Sequence, residues 1–516
     1  MEQYQQTHLM TKRNLILIGF ILLKFLLQYL LVNPNYDLQR DEYLHLDQAN
    51  HLAWGFQSIP PVTSWISSII KLFGNSIFWI RFFPALFGAL TIALVWKTIE
   101  ELKGNLFALI LGATCVLFSA LLRLNSLYQP NSLDVLCWTA FYFVLIKYTN
   151  TENTKWLFIG SIVFAIGFLN KYNITFLLIG LFPAILLTEQ RTVFAKKEFY
   201  FALLLGILLV LPNLLWQYKN SFPVFHHLKE LADTQLVNVN RIDFLKEQLF
   251  YFIGSIPVIA ASLYALIFYK PFEKFKLFSL SIILTLIIFI YFKAKGYYAI
   301  GLYPIYISFG AVFLSHKLKM DWKRYLQPVL IAIPVIIYFL LFDIAFSVKP
   351  PQYYVENPSK YQKLGLLRWE DGKDHTLPQD FADMLGWKEL ALKVDSVYST
   401  LPNKENTLIL CDNYGQAGAI NYYTTQKIRA VTFNADYINW FDLSKNYENL
   451  IRVKEQGETN DEFNETSPFF QKSLVADSIT NKFAREFGTI IFSFTGAKID
   501  IRERLKTEIE ENKNYR

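Results

Sequence analysis

The sequence predicts a polytopic α-helical membrane protein of about eleven transmembrane helices with a C-terminal soluble α/β domain. Three observations predict it. The 516 residues are 53% hydrophobic and 17% aromatic, more apolar than soluble domains usually are, and the mean hydropathy is +0.25. Apolar runs long enough to approach a bilayer's thickness recur up to residue 346. After Lys349-Pro350-Pro351 the chain turns polar and charged. The Pro pair reads as a linker between residues 1–346, a membrane domain, and residues 347–516, a compact domain.

Residues 14–32 are apolar apart from Asn14, Lys24 and Gln28 and follow a polar start bearing Lys12 and Arg13. No A-x-A-like exit follows, so this is expected to be an uncleaved membrane helix. Further runs lie at 77–96, 105–122, 133–149, 156–169, 173–188, 199–217, 247–268, 277–293, 297–315 and 326–346, eleven with the first. The pair 156–169 and 173–188 is short, with its break at Asn170-Lys171-Tyr172. With the N-terminus in the cytoplasm, alternate loops carry Lys97 and Lys103; Lys147 and Lys155; Arg191, Lys196 and Lys197; Lys270, Lys274 and Lys276; and Lys317, Lys319, Lys323 and Arg324. Basic loops on that face obey the positive-inside rule and place the C-terminal domain outside. The net charge of +7 is dispersed over these loops rather than gathered in one tract, which does not indicate nucleic-acid binding. Cys115, Cys137 and Cys411 form no CxxC or Cys/His spacing, so a disulfide framework and a structural zinc site are not expected.

The outer loop at 33–76 holds the most polar stretch of the N-terminal part, Arg40 to Trp65, RDEYLHLDQANHLAWGFQSIPPVTSW. It contains Asp41, Glu42 and Asp47, with His45 and His51 among them. A carboxylate at a lipid–water boundary needs a polar partner or task, because burying it bare is costly. Pro60-Pro61 sets an extended lead into residues 62–73, an amphipathic segment too short to span and expected to lie along the surface. Other charges near outer membrane ends are Arg123, Lys171, Arg241, Lys293 and Lys295. Charges of both signs on one face suggest a shared polar cavity.

In the C-terminal domain, Leu385–Val397 reads as helix, Thr407–Cys411, Ile428–Phe433 and Thr489–Phe494 as strands, and Arg502–Arg516 as a charged helix or tail. The turn after Thr407–Cys411 carries Gly415, and such a strand–turn–helix can cradle an anion. There is no full GxGxxG, so nucleotide binding is not the expectation.

Taken in order, these residues resemble the C-type membrane glycosyltransferases of family 39, which include lipid A aminoarabinose transferases and protein O-mannosyltransferases. The matching positions are Asp41-Glu42, Ala49, Leu52-Ala53-Trp54-Gly55 and Pro60-Pro61, then RFFPALFGALT from Arg81, YQPNSLDVLCW from Tyr128 with Asp134, Lys171-Tyr172, and Lys295-Gly296-Tyr297-Tyr298. LPQDFADMLGW (377–387) and DNYGQAGAINYY (412–423) resemble the soluble domain of a bacterial branch. The resemblance implies an inverting transfer of a sugar from a polyprenyl-phosphate carrier to a lipid, glycan or protein acceptor of the cell envelope. It also implies a bacterial inner-membrane enzyme with its active site on the outer face. One departure stands out: aminoarabinose-type members carry Lys just before the Pro pair, where this chain has Ile59. That argues against an aminoarabinose transferase in the strict sense.

Such chemistry needs a carboxylate for the acceptor, cations for the leaving phosphate and a dry cleft reached from the lipid. The expected catalytic carboxylates are Asp41, as base, with Glu42 and Asp134. The expected substrate-binding residues are Arg81, Arg123, Lys171, Tyr172, Lys295, Tyr297 and Tyr298, together with Pro60 and Pro61. If a divalent ion such as Mg or Mn takes part, Glu42 and His45 are its expected ligands. A transporter or flippase of a polyprenyl-linked substrate is the alternative, and it predicts internal repeats that the sequence does not display.

Overall fold

The computed structural model describes residues 2–456 and 459–515. All eleven apolar runs are helical over most of their length. Among the described residues six helices are long and apolar enough to cross a membrane: Lys12–Leu30, Ile77–Glu101, Lys197–Lys219, Lys270–Tyr291, Gly296–Lys317 and Asp321–Leu340. Two bent pairs raise the number to eight: Ile174–Leu186 with Glu189–Ala195, bent by 102°, and Arg241–Tyr251 with Ile253–Phe268, bent by 68°. Three of the eleven runs, 105–122, 133–149 and 156–169, are not among these eight; the 133–149 run is helical over Asn131–Thr151. The 105–122 run is divided into Leu106–Leu117 and Ala120–Leu124, because Phe118 leaves helical geometry and Ser119 caps the second piece. Lys155–Asn170 is helical but short. Lys24 does not break the first helix: its amino group donates to Gln28 Oε1 (2.8 Å) and Asn125 Oδ1 (2.9 Å), which keeps a buried polar group partnered.

The C-terminal domain is built on a five-stranded sheet: β1 (Thr407–Cys411), β2 (Ala430–Thr432), β3 (Asn449–Lys454), β4 (Phe470–Ser478) and β5 (Ile490–Ala497). Their order is β2-β1-β3-β5-β4. The β1 strand pairs in parallel with β2 and β3, while β5 runs antiparallel to β3 and β4. The predicted strand Ile428–Phe433 is trimmed to Ala430–Thr432, and the predicted helix Leu385–Val397 lies at Trp387–Ser399, where Gly386 at φ +84° makes the turn into it.

Between the two parts sits the acidic loop, as the Arg40–Asp47 helix and then the Val62–Leu72 helix. The loop helix starts on a capping box: Gln39 accepts from Asp41 N, and Glu42 accepts from Gln39 N. Its apolar residues Tyr43, Leu44 and Leu46 are buried in one core with Trp387, Leu390 and Val394 of the C-terminal domain and with Ile80 and Tyr128 of the membrane part. The loop is therefore packed between the long apolar helices and the sheet-bearing part of the chain.

Candidate functional site

The loop's carboxylates divide their partners by direction. Asp37 accepts from the backbone amides of Trp387 (3.0 Å) and Lys388 (3.2 Å), capping a helix of the C-terminal domain from outside. Asp47 accepts from Asn421 (2.7 Å) and the Tyr437 hydroxyl (2.8 Å) of the same domain. Glu42 turns the other way and is completely buried. It forms a two-pronged ion pair with Arg81 and accepts from the amides of Gln39 (2.6 Å) and Tyr128 (2.5 Å). Removing one partner of such a buried pair costs about 3–5 kcal/mol.

Three of the expected site residues are engaged by other protein groups. Glu42 takes the Arg81 guanidinium in a nearly closed space. The oxygens of Glu42 already hold four donors, and His45 Nδ1 lies 3.4 Å from Gln48 Oε1 in a buried pocket. Among the described residues no group of three or more His, Cys, Asp or Glu is placed to hold a metal ion.

Asp41 is half-buried, as Asp37 is. Its Oδ1 accepts from the Tyr414 hydroxyl at 2.7 Å and its Oδ2 from Gln129 Nε2 at 3.1 Å. Each carboxylate oxygen keeps a further lone pair for an acceptor hydroxyl. Gln129 leads on. Its Oε1 accepts from Asn131 Nδ2 (2.9 Å), and Asn131 Oδ1 accepts from Lys171 Nζ (2.7 Å). A continuous chain of side chains thus runs from the carboxylate to a cation.

Lys171 caps the end of the Lys155–Asn170 helix, where the break predicted at 170–172 occurs. Its ammonium lies 4.5 Å from the Tyr298 ring centroid and 5.1 Å from that of Tyr297, a cation–π arrangement. Burial pushes the Lys171 ammonium down to about 8, against the pull of Asp134. Asp134 accepts from Trp138 Nε1 (3.0 Å) and Asn173 Nδ2 (2.8 Å). Asn173 also donates to the Tyr298 carbonyl (2.9 Å). Asp134 therefore steadies the Tyr298 turn and makes no hydrogen bond to an ion-binding group.

Lys295 stands beside this cluster, bonded to Gln235 Oε1 (2.6 Å) and paired with Glu370 of the C-terminal domain. Burial works against the Glu370 carboxylate, but the Lys295 ammonium beside it prevails and holds it below its usual range. Glu370 also borders a cleft of about 280 Å³ lined by Gln379, Glu455, Arg485 and Glu486. The remaining candidates lie elsewhere. Arg123 turns to Ser126 (3.0 Å) and Asp380 (3.5 Å). The Tyr172 hydroxyl is taken by Asn213 (3.1 Å) and Gln217 (2.8 Å), so it braces the Lys197–Lys219 helix. Pro60 and Pro61 are buried, with Pro61 capping the Val62–Leu72 helix. The turn at Gly415 is no anion cradle: Asn413 fills the helix N-terminus by accepting from Gln416 N, and its amide faces Glu455 and Glu486.

Sequence reasoning missed Gln129, Asn131, Tyr414 and Glu370. Gln129 and Asn131 stand inside the YQPNSLD stretch, but only their spacing from Asp134 was available, and amides carry no charge signal. Tyr414 reaches Asp41 across 373 residues of sequence, which no local pattern reports.

The profile of the dolichyl-phosphate-mannose-protein mannosyltransferase family matches residues 58–216. A lipid A galacturonosyltransferase, RgtD of Rhizobium johnstonii, is 24% identical over 206 residues, 38% of this chain and 43% of that protein. The match thus spans less than half of the curated relative's length. The crystal structure of ArnT from Cupriavidus metallidurans bound to undecaprenyl phosphate superposes with a TM-score of 0.63 at 12% identity, covering 92% of this chain and 97% of that one. The same protein in the apo state gives 0.60. At that identity the likeness is one of fold. The chain therefore has the C-type glycosyltransferase fold, with a segment at residues 58–216 similar to the mannosyltransferase family.

Proposed function

Proceeding from that fold, we propose that the chain is an inverting glycosyltransferase. It moves a sugar from a polyprenyl-phosphate carrier to a lipid, glycan or protein acceptor on the outer face of the bacterial inner membrane. The observation that carries the reading is the relay Asp41–Gln129–Asn131–Lys171, closed by Tyr297 and Tyr298. It holds a carboxylate and a cation in fixed relation. The carriers and acceptors named for the similar proteins, undecaprenyl phosphate and lipid A, are of the class such a site suits.

In this reading Asp41 takes the proton of the acceptor hydroxyl as its oxygen attacks the anomeric carbon. The bond from that carbon to the phosphate oxygen breaks, and the carrier phosphate leaves with the electron pair. Lys171 and Lys295 receive the growing charge. Lys295 must exchange Glu370 for the phosphate, a swap of one anion for another. Basic loops on the inner face, read with eleven spans, support an outer position for Asp41, Lys171, Lys295 and the C-terminal part.

The test is transfer of label from radiolabelled undecaprenyl-phosphate sugars into envelope extract by the purified protein in lipid vesicles. Asp41→Asn is expected to lower transfer at least about a hundredfold, the scale of general base catalysis. Equal transfer by the two proteins removes Asp41 from the chemistry. Carrier lipid crossing the bilayer without transfer supports the flippase instead. Adding a chelator is expected to leave transfer intact, since Glu42 is fully engaged by protein donors. Loss of transfer on chelation, restored by Mg or Mn, contradicts this.

A further inference from the structure

Asp41 is not held by the membrane domain alone. Its Oδ1 accepts from the hydroxyl of Tyr414, the first residue of the Tyr414–Tyr423 helix in the C-terminal domain. The Arg40 guanidinium lies 4.4 Å over the Tyr414 ring, fixing the ring from the loop side. The approach is close by design of the sequence. A Cβ on Gly415 would meet Arg40 Cγ at 2.7 Å, and one on Gly418 would meet Tyr43 Cβ at 2.8 Å. These two glycines let the helix lie against the Arg40–Asp47 helix backbone and bring the hydroxyl within reach.

We infer that Tyr414 is a positioning residue for Asp41, so the C-terminal domain completes the active site. This rests on the reading of Asp41 as the base. A carboxylate rotates freely about its last bond unless both oxygens are engaged, and Gln129 engages only Oδ2. Tyr414 supplies the second anchor and aims the remaining lone pairs at one place. Its hydroxyl also stabilises the ionised form, as a donor to a carboxylate does. The soluble domain thereby acts on the chemistry and not only on which acceptor arrives.

The experiment compares wild type, Tyr414→Phe, Tyr423→Phe and Asp41→Asn, all full length in lipid vesicles. Tyr423 sits in the same interface, bonded to Tyr43 and not to Asp41. The first readout needs no substrate. A water-soluble carbodiimide with glycine ethyl ester labels accessible carboxyls, and peptide mass spectrometry follows the rate of Asp41 modification at one pH, with the enclosed Glu42 as the fold control. Tyr414→Phe leaves Asp41 Oδ1 without its donor and is expected to raise that rate about tenfold, the scale of a lost hydrogen bond to a charged group. Tyr423→Phe and the Glu42 signal are expected to stay put. An unchanged Asp41 rate in Tyr414→Phe overturns the inference, and so does an equal rise in Tyr423→Phe, which would mean general loosening of the interface. The second readout is transfer, where Tyr414→Phe is expected to lower kcat about tenfold with KM little changed. If Asp41→Asn still transfers, the base reading is what fails, and the catalytic role of Tyr414 falls with it. If Asp41→Asn is inactive and Tyr414→Phe matches wild type in both readouts, the Tyr414 inference alone fails.

Discussion

At the scale of single residues, the informative contrast is between neighbouring acids. Asp41 and Glu42 are adjacent, yet one is half-buried on neutral donors and the other is fully enclosed by an arginine and two amides. A base must give up and regain hydrogen-bond partners during turnover, and Asp41 can do so because its donors are neutral. Glu42 cannot without stranding Arg81. Lys171 yields a pH prediction. Its ammonium titrates near 8 in the unliganded protein because burial disfavours the charge. The charged form binds phosphate, so donor binding is expected to be intact below that value and to weaken as pH rises through it. kcat/KM for an undecaprenyl-phosphate sugar should fall above about pH 8 in wild type. In Lys171→Arg the fall should disappear, since a guanidinium keeps its charge. An alkaline fall of equal midpoint in Lys171→Arg assigns the titration to another group.

At the scale of elements, the packing of the Arg40–Asp47 helix on the Tyr414–Tyr423 helix governs whether the site exists. Gly418 faces the Tyr43 backbone at 3.1 Å and the Tyr437 hydroxyl at 2.9 Å from where a Cβ would stand. Gly418→Val must push the helices apart, since one of those neighbours is backbone. It is expected to lower transfer as strongly as Tyr414→Phe while lowering stability by about 1–3 kcal/mol, the usual cost of overpacking. A thermal melt in detergent together with the transfer assay checks both. Arg81→Met acts on the opposite side of the same helix. It leaves Glu42 buried without its cation and is expected to cost about 3–5 kcal/mol. The joint variant Glu42→Gln with Arg81→Met is expected to recover part of that loss, because no lone charge remains. If the joint variant is no more stable than Arg81→Met, charge pairing is not what holds the loop helix to the membrane domain.

At the scale of the whole molecule, the sequence disclosed what is repeated or local. The apolar runs gave the helices, the shift after Pro350-Pro351 gave the second domain, and the Asp41-Glu42 stretch marked the site. What stayed hidden depends on meetings between distant segments. Asp37 caps a helix 350 residues away and Arg81 is consumed by Glu42. Neither meeting leaves a periodicity to read. The number of spans lies between these cases, because a kink at Phe118 and bends of 102° and 68° obscure where one crossing ends. Parity decides sidedness: an odd number of crossings separates the two ends of the chain, and an even number keeps them together. The basic loops favour an odd number, with the loop at 150–155 inside and the C-terminal domain outside. The three native cysteines are buried, so single cysteines placed at exposed sites will dominate labelling by a membrane-impermeant maleimide. Thr151 and Glu510 are both exposed. Glu510→Cys is expected to react in intact spheroplasts, and Thr151→Cys only after the membrane is opened. Reaction of both in intact spheroplasts would put Asn131–Thr151 on a different path through the bilayer.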